Sequence, residues 1–179
     1  MYYLMARGSE SDLIAEFERL VREEHPRLRV LASRVLGDPG DVEDALQEAY
    51  LKAFGAYPEA RQHPTGSLQG WLYRIVYRCA IDQTRRRAGR RTSTLDPTFS
   101  SAPFADESDS AIDLERAFNR LSPETRAAVT LVDVLGFDYQ AAADALDTNR
   151  GTIASRLHTA RAVIRKHLDA NPLHGAAKK

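Results

Sequence analysis

Between Asp41 and Tyr57 one apolar face is formed by Val42, Ala45, Leu46, Ala49, Tyr50, Ala53, Phe54 and Tyr57. This i, i+3, i+4, i+7 spacing belongs to a helix with one buried face, and no sheet can use it. The same period recurs along the chain, while period-two alternation is almost absent, so the sequence predicts an all-α fold. Ser11 and Asp12 suit the cap of a first helix carrying Leu13, Ile14, Phe17, Leu20 and Val21 on one side. Pro26 suits the first turn of a second helix through Leu28, Leu31 and Val35, which Gly37-Asp38-Pro39-Gly40 would stop. Asp41 is placed to cap the third. Pro58 to Ser67, with two prolines and a glycine, reads as a loop. A fourth helix from about Leu68 to Arg87 would bury Leu72, Ile75, Val76, Cys79 and Ala80.

Composition shifts at Thr92. From there to Ser110 the chain is rich in Ser, Thr, Pro, Asp and Glu and holds no basic residue, which reads as a flexible acidic linker. Helical pattern resumes at Ala111. Ser122-Pro123-Glu124 is a helix start with a cap, a first-turn proline and a carboxylate near the positive end of the helix dipole. That helix should reach Leu135 and end at Gly136. A short helix from Tyr139 to Leu146, capped by Asp138, precedes the turn Asp147-Thr148-Asn149. A last helix would bury Ile153, Leu157, Ala160, Ile164 and Leu168. The expected organisation is two small helical domains, residues 9–91 and 111–170, joined by a linker at 92–110.

Lys+Arg and Asp+Glu both total 25, so net charge neither supports nor excludes a nucleic-acid partner, and the distribution must decide. Arg74, Arg78, Arg85, Arg86, Arg87, Arg90 and Arg91 crowd the fourth helix and its extension, against Asp82 alone. Trp71, Tyr73 and Tyr77 lie among them. Cations interleaved with aromatics suit phosphates and unstacked bases; a solvated basic helix with Trp71 in the core is the plainer alternative. The final helix carries Arg150, Arg156, Arg161, Arg165 and Lys166 after a short helix and a tight turn, the layout of a helix-turn-helix. A plain helical hairpin fits the same pattern. Asp38, Asp41, Glu43, Asp44 and Glu48 form an acidic surface, unsuited to DNA but suited to a basic protein partner or simply to solvent.

One cysteine, Cys79, excludes an intramolecular disulfide and a Cys-based zinc site. The five histidines, His25, His63, His158, His167 and His174, have no metal-ligand spacing, and no phosphate-cradling glycine loop occurs. No enzyme, metal or cofactor is therefore expected. With no signal-peptide core and no membrane-length apolar run, the sequence reads as a soluble cytoplasmic protein without membrane insertion.

Taken in order, these segments resemble a family. The run from Asp41 to Phe54 is similar to the core-polymerase-binding segment in the second conserved region of sigma factors. Trp71 to Arg87 resembles the −10 promoter-reading segment. Leu121-Ser-Pro-Glu-Thr-Arg126, Gly136-Phe-Asp-Tyr139 and Gly151 to His158 resemble the fourth region, which reads the −35 element. The third conserved region of larger sigma factors is replaced by the linker, which aligns the chain with the extracytoplasmic-function (ECF) group of the sigma-70 family.

The resemblance implies roles. Asp44, Gln47 and Glu48 would meet the clamp helices of the polymerase β′ subunit. The Pro58–Ser67 loop, His63 included, would hold a flipped −10 base. Arg74, Tyr77, Arg78, Arg85 and Arg86 would contact −10 DNA. The second domain would dock on the β flap and read −35 DNA through Asn149, Arg150, Thr152, Ser155 and Arg156, with Arg161 on phosphate. The partners implied are RNA polymerase core, promoter DNA and an anti-sigma protein. Three departures stand out: Arg78 where the family often has Asn, Ala154 where it often has Lys, and Asp147 where the helix-turn-helix turn commonly has Gly. A stand-alone helix-turn-helix regulator and a sigma mimic that only titrates an anti-sigma protein are the rival readings. The basic, aromatic fourth helix argues against the first, and the arginines retained at both DNA-facing segments argue against the second.

Overall fold

A computed structural model describes residues 10–62, 66–91 and 109–169. Among them the regular structure is helical: α1 (Glu10–Leu36), α2 (Val42–Gln62), α3 (Leu68–Arg91), α4 (Asp109–Asn119), α5 (Pro123–Val129), α6 (Tyr139–Ala145) and α7 (Arg150–Asp169). Helices α1, α2 and α3 pack on one another, and α4, α5 and α6 pack around α7. Most of the expected linker, residues 92–108, lies outside the described residues; its last two residues open α4.

Two expected breaks are absent. The first two helices of the sequence reading are one, with Pro26 inside α1, and Pro58 lies inside α2, which runs on to Gln62. A proline removes one helical hydrogen bond and crowds the carbonyl four residues back. Here those carbonyls belong to Arg22 and Phe54, and each proline and its partner residue are exposed, so water can take the place of the lost donor. Burial of Phe17, Leu28, Leu31 and Val35 along α1 keeps the helix continuous through the defect. The third correction is the cap before α2. Asp38, not Asp41, does the capping: its Oδ1 accepts from Gly40 N at 2.9 Å and opens a short 3-10 turn, Pro39–Asp41.

Ser11 and Asp12, expected at the cap of the first helix, lie inside α1, which is already helical at Glu10. Other local signals act as written. Gly37, at φ 70°, ends α1 in the left-handed conformation that glycine adopts without strain. Ser67 caps α3 by accepting from Gly70 N. Ser122 caps α5 and Asp138 caps α6, each accepting from the backbone N–H three residues on. After Val129 the backbone widens into a π-helical turn, Thr130–Val134. The buried Thr130 hydroxyl donates back to Arg126 O at 2.8 Å, which competes with regular helical bonding at that point.

The buried apolar residues form one cluster that spans both groups of helices. Leu28, Leu31, Leu46, Leu72 and Val76 fill the first group; Leu131, Ala142, Ile153 and Leu157 fill the second. Between them, α5 lies against α1 and α6 against α3. The Phe137 ring sits 4.9 Å from that of Tyr73. Arg27 donates to Leu135 O at 2.7 Å and to the Tyr73 hydroxyl at 3.2 Å, while its guanidinium lies 5.7 Å over Phe137. Arg126, only 3% exposed, donates to Val35 O at 3.1 Å. Arg34 pairs with Glu115 and lies over the Phe118 ring. The second group of helices is thus seated on the first through both rings and charges.

Tyr73 is fully buried and its hydroxyl donates to Glu24 Oε2 at 2.8 Å. Removing that donor leaves Glu24 with Gln69 on its other oxygen and Arg27 at 3.8 Å, so Tyr73→Phe should destabilise the fold by about 1 kcal/mol. Leu46→Ala, which opens a cavity at the centre of the first group, should cost about 2–5 kcal/mol. Urea denaturation followed by circular dichroism measures both, and Leu46→Ala should show the lower midpoint.

Candidate nucleic-acid interface

Helix α2 turns its small residues inward. Ala45, Ala49 and Ala53 are fully buried against α1 and α3, which brings the helices close. The opposite face carries Asp44 and Gln47, both exposed, and Glu48, which is partly covered. Glu48 Oε1 accepts from Lys52 Nζ at 2.7 Å and from Arg86 at 3.4 Å. Those hydrogen bonds hold its carboxyl below the usual carboxylate range and raise the Lys52 ammonium above its ordinary value. Arg29 pairs with Glu43 at 3.4 Å beside this surface.

Two apolar side chains on α2 were missed or misplaced by sequence reasoning. Leu51 is 75% exposed and stands one turn beyond Gln47 on the acidic face. The signal was present: a leucine off the buried stripe needs another reason to be there. Phe54, expected on the buried stripe, is 48% exposed and touches the core only at its edge, through the Phe17 ring 5.4 Å away.

Helix α3 divides its residues by face. Leu72, Tyr73, Val76, Tyr77, Cys79 and Ala80 are buried. The aromatics that the sequence set among the arginines are packing residues here: Trp71 is half-buried with its ring 6.2 Å from Tyr57. Tyr77 sits between the two groups of helices, its hydroxyl pushed up by burial and held back by the positive charge of Arg156. Cys79 is buried beside Lys52 Nζ, 3.7 Å from its sulfur, and burial raises its thiol above the ordinary range.

The arginines of α3 have different fates. Arg87 is held by Asp38 and Asp41, at 2.8 and 2.6 Å, and so ties α3 to the start of α2. Arg86 leans on Glu48. Arg85 is exposed. Arg74 and Arg78 reach across to the other group of helices: Arg74 Nε donates to Asp144 O at 2.8 Å, and Arg78 pairs with Asp147 at 2.6 Å. That pairing holds the Asp147 carboxyl below the usual range. A cleft of about 380 Å³, lined by Arg27, Ser67, Gln69, Trp71, Arg74 and Phe137 among others, opens beside this contact. His63 lies outside the described residues.

Helices α6 and α7 form the helix-turn-helix. Asp147 takes φ 51° at the turn, a conformation that Asp and Asn tolerate better than other side chains. Asn149 caps α7, its Oδ1 accepting from Thr152 N at 2.8 Å and from the Thr152 hydroxyl at 3.2 Å. The Ser155 hydroxyl donates to Thr152 O. Arg150 is exposed at the first turn, whereas Arg156 is half-buried toward Tyr77. Arg161 pairs with Asp133 at 3.3 Å. Among the described residues no group of three or more His, Cys, Asp or Glu could hold a metal ion, and no helix is long and apolar enough to cross a membrane.

Residues 20–90 match the family model of sigma-70 region 2, and residues 111–164 match that of sigma-70 region 4. The chain is 32% identical over 160 residues to the ECF RNA polymerase sigma factor SigE of Mycolicibacterium smegmatis, covering 85% of this chain and 61% of SigE. It is 34% identical over 152 residues to the ECF RNA polymerase sigma factor SigM of Mycobacterium tuberculosis, covering 85% of this chain and 76% of SigM. The fold is similar to the sigma factor RpoE, solved in complex with the anti-sigma factor NepR from Bartonella quintana. That match has a TM-score of 0.72 at 25% identity and covers 87% of this chain and 98% of RpoE. With both conserved regions in order on one helical chain, the protein belongs to the ECF sigma factors of the sigma-70 family.

Proposed function

We propose that this chain is the promoter-specificity subunit of a bacterial RNA polymerase, binding the core enzyme through α2 and promoter DNA through α3 and α7. The observation that carries the reading is the separation of charge. Carboxylates gather on the outer face of α2, and guanidinium groups gather on α3 and on α7. A phosphate backbone is drawn to the second kind of surface and repelled by the first. The protein works in the cytoplasm and supplies binding, not chemistry. Its two domains are residues 9–91 and 111–170. As RpoE does with NepR, it pairs with an anti-sigma protein.

In this reading Asp44, Gln47 and Glu48 face the clamp helices of β′, with Leu51 as the apolar centre of the contact, and the second domain meets the β flap. Run-off transcription with core polymerase and a promoter library tests the whole assignment: specific transcripts should appear only when the chain is added. Reversing charge at Asp44 and Glu48 together should weaken core binding by about tenfold or more and leave helical content unchanged. Co-purification with core at wild-type yield would move the contact to another face.

Arg74, Arg78, Arg85 and Arg86 grip −10 DNA, with His63 beside the unstacked bases, whereas Tyr77, assigned to the DNA by the resemblance, is buried and acts by packing beneath the arginines. A phosphate contact to single-stranded DNA contributes about 0.7 to the slope of log affinity against log salt, and one to duplex DNA about 0.9. The triple variant Arg74→Ala, Arg78→Ala, Arg85→Ala should therefore lower that slope by about two to three for holoenzyme on promoter DNA. An unchanged slope returns the three arginines to solvent.

On α7 the candidates for base readout are Arg150, Thr152, Ser155 and Arg156, with Asn149 at the cap and Arg161 toward phosphate. A bidentate arginine–guanine pair discriminates by about 1–3 kcal/mol. Arg150→Ala should relax selection at one or two −35 positions, and Arg161→Ala should weaken all sequences about equally. Selection from randomised −35 DNA by holoenzyme measures both.

A further inference from the structure

At the first turn of α7 the hydrogen bonds fix where the side-chain protons lie. Asn149 Oδ1 accepts from Thr152 N at 2.8 Å, so the capping bond itself decides which end of the amide faces the helix. The Thr152 hydroxyl lies 3.2 Å from the same oxygen. An amide oxygen has no proton to give, so the proton in that bond is Thr152's. Three residues on, the Ser155 hydroxyl lies 3.0 Å from the Thr152 carbonyl, and the same argument assigns that proton to Ser155. Each hydroxyl has committed its single donor within the helix and keeps lone pairs for a partner outside. Asn149 is left with the opposite: its oxygen is occupied, and its amide N–H groups are what it can offer a base. Gly151 suits this arrangement, since a Cβ there would stand 3.2 Å from Asn149 Oδ1, closer than an ordinary contact, and would press on the cap.

We propose that this network sets the polarity of −35 readout: Thr152 and Ser155 present acceptors to the major groove and select bases that carry an amino group there, adenine or cytosine, over guanine and thymine. Adenine offers its N6 amino group where guanine has O6, and cytosine its N4 amino group where thymine has O4. A hydroxyl lone pair set against O6 or O4 leaves two acceptors facing each other with no proton between them. Asn149 is a positioning residue. It cannot take adenine with both ends of its amide, because that fork needs the oxygen that caps the helix. Its influence on sequence passes through the Thr152 proton that it holds. Arg150, exposed on the same turn and carrying donors alone, supplies the opposite preference, for guanine. The inference rests on the proposed −35 role of α7 and adds a chemical polarity to it.

The experiment is selection from promoter DNA randomised across the −35 element, using holoenzyme that carries the wild-type chain or a variant. Thr152→Val keeps the side-chain shape and the capping bond and removes the hydroxyl. It should lower a preference for adenine or cytosine at one position by about three- to tenfold, the scale of one hydrogen bond. Ser155→Ala should do the same at another position. Asn149→Gly leaves a residue that helix starts tolerate but takes away the oxygen. The Thr152 proton is then free, and guanine and thymine should be admitted at the Thr152 position. Asn149→Asp restores the oxygen and should retain the wild-type preference there, even as its charge weakens binding to all sequences. A wild-type preference for guanine or thymine at the Thr152 position overturns the proposal. So does equal relaxation by Asn149→Asp and Asn149→Gly, which would make the Asn149 amide the reader. Arg150→Ala in the same selection separates the two levels. If it relaxes a position and Thr152→Val relaxes none, the polarity fails while α7 remains the −35 reader; if neither variant moves any position, the −35 role of this turn fails and the polarity with it.

Discussion

Helix α3 has to be apolar and cationic over the same residues, and the rest of the molecule is arranged around that demand. It can meet it only by giving each face a different neighbour. Alanines on α2 let that helix come close enough to cover Leu72, Val76 and Ala80. The remaining face would leave Tyr73 and Tyr77 wet, and α6 with the Gly136–Tyr139 turn covers it. Covering two tyrosines beside a row of arginines brings carbonyls and carboxylates within reach of those arginines. The second domain therefore docks beside Arg74 and Arg78, while the denser cluster of Arg85, Arg86 and Arg87 stays clear of it or turns to α2 and its start.

This docking explains the unusual placement of buried cations. Arg126 lies in the interior with its Nε unpartnered among the described residues, and burial lowers its affinity for the proton. A lysine there would lose its charge more easily; a guanidinium stays charged and can reach the Val35 carbonyl. Arg27 and Arg34, which are partly exposed, also join the two groups, each lying over an aromatic ring of the second domain while pairing with a polar group. Such contacts are more exacting in direction than aliphatic packing, so they fix how the domains are turned against each other.

Much of this was legible in the sequence. The apolar period revealed the helices, and Ser122, Asp138 and Gly136 marked their ends because capping chemistry is local. Pro26 and Pro58 misled because a proline breaks a helix only when nothing else holds it, and what holds these two is tertiary burial. Phe54 fits the period of α2 but lies at the edge of the buried stripe, since Tyr57 one turn on is covered and Phe54 is not. At the site, the density of arginine on α3 was plain from the sequence, but its division was not. Whether Arg87 faces Asp38 and Asp41 or Arg78 faces Asp147 depends on contacts across 46 to 69 positions, which no periodicity encodes. Asn149 was read as a base contact and is occupied as a cap, a competition that a single sequence leaves open.

The left-handed backbone at Asp147 has a genetic consequence. Only glycine, asparagine and aspartate occupy φ near 50° at little cost. The aspartate codon is one nucleotide from a glycine codon and one from an asparagine codon. A lineage can thus add or delete a carboxylate at this turn in a single mutational step without disturbing either helix. Its charge also touches the other domain, so the contact between the two halves can change in one step while the fold that carries them stays the same.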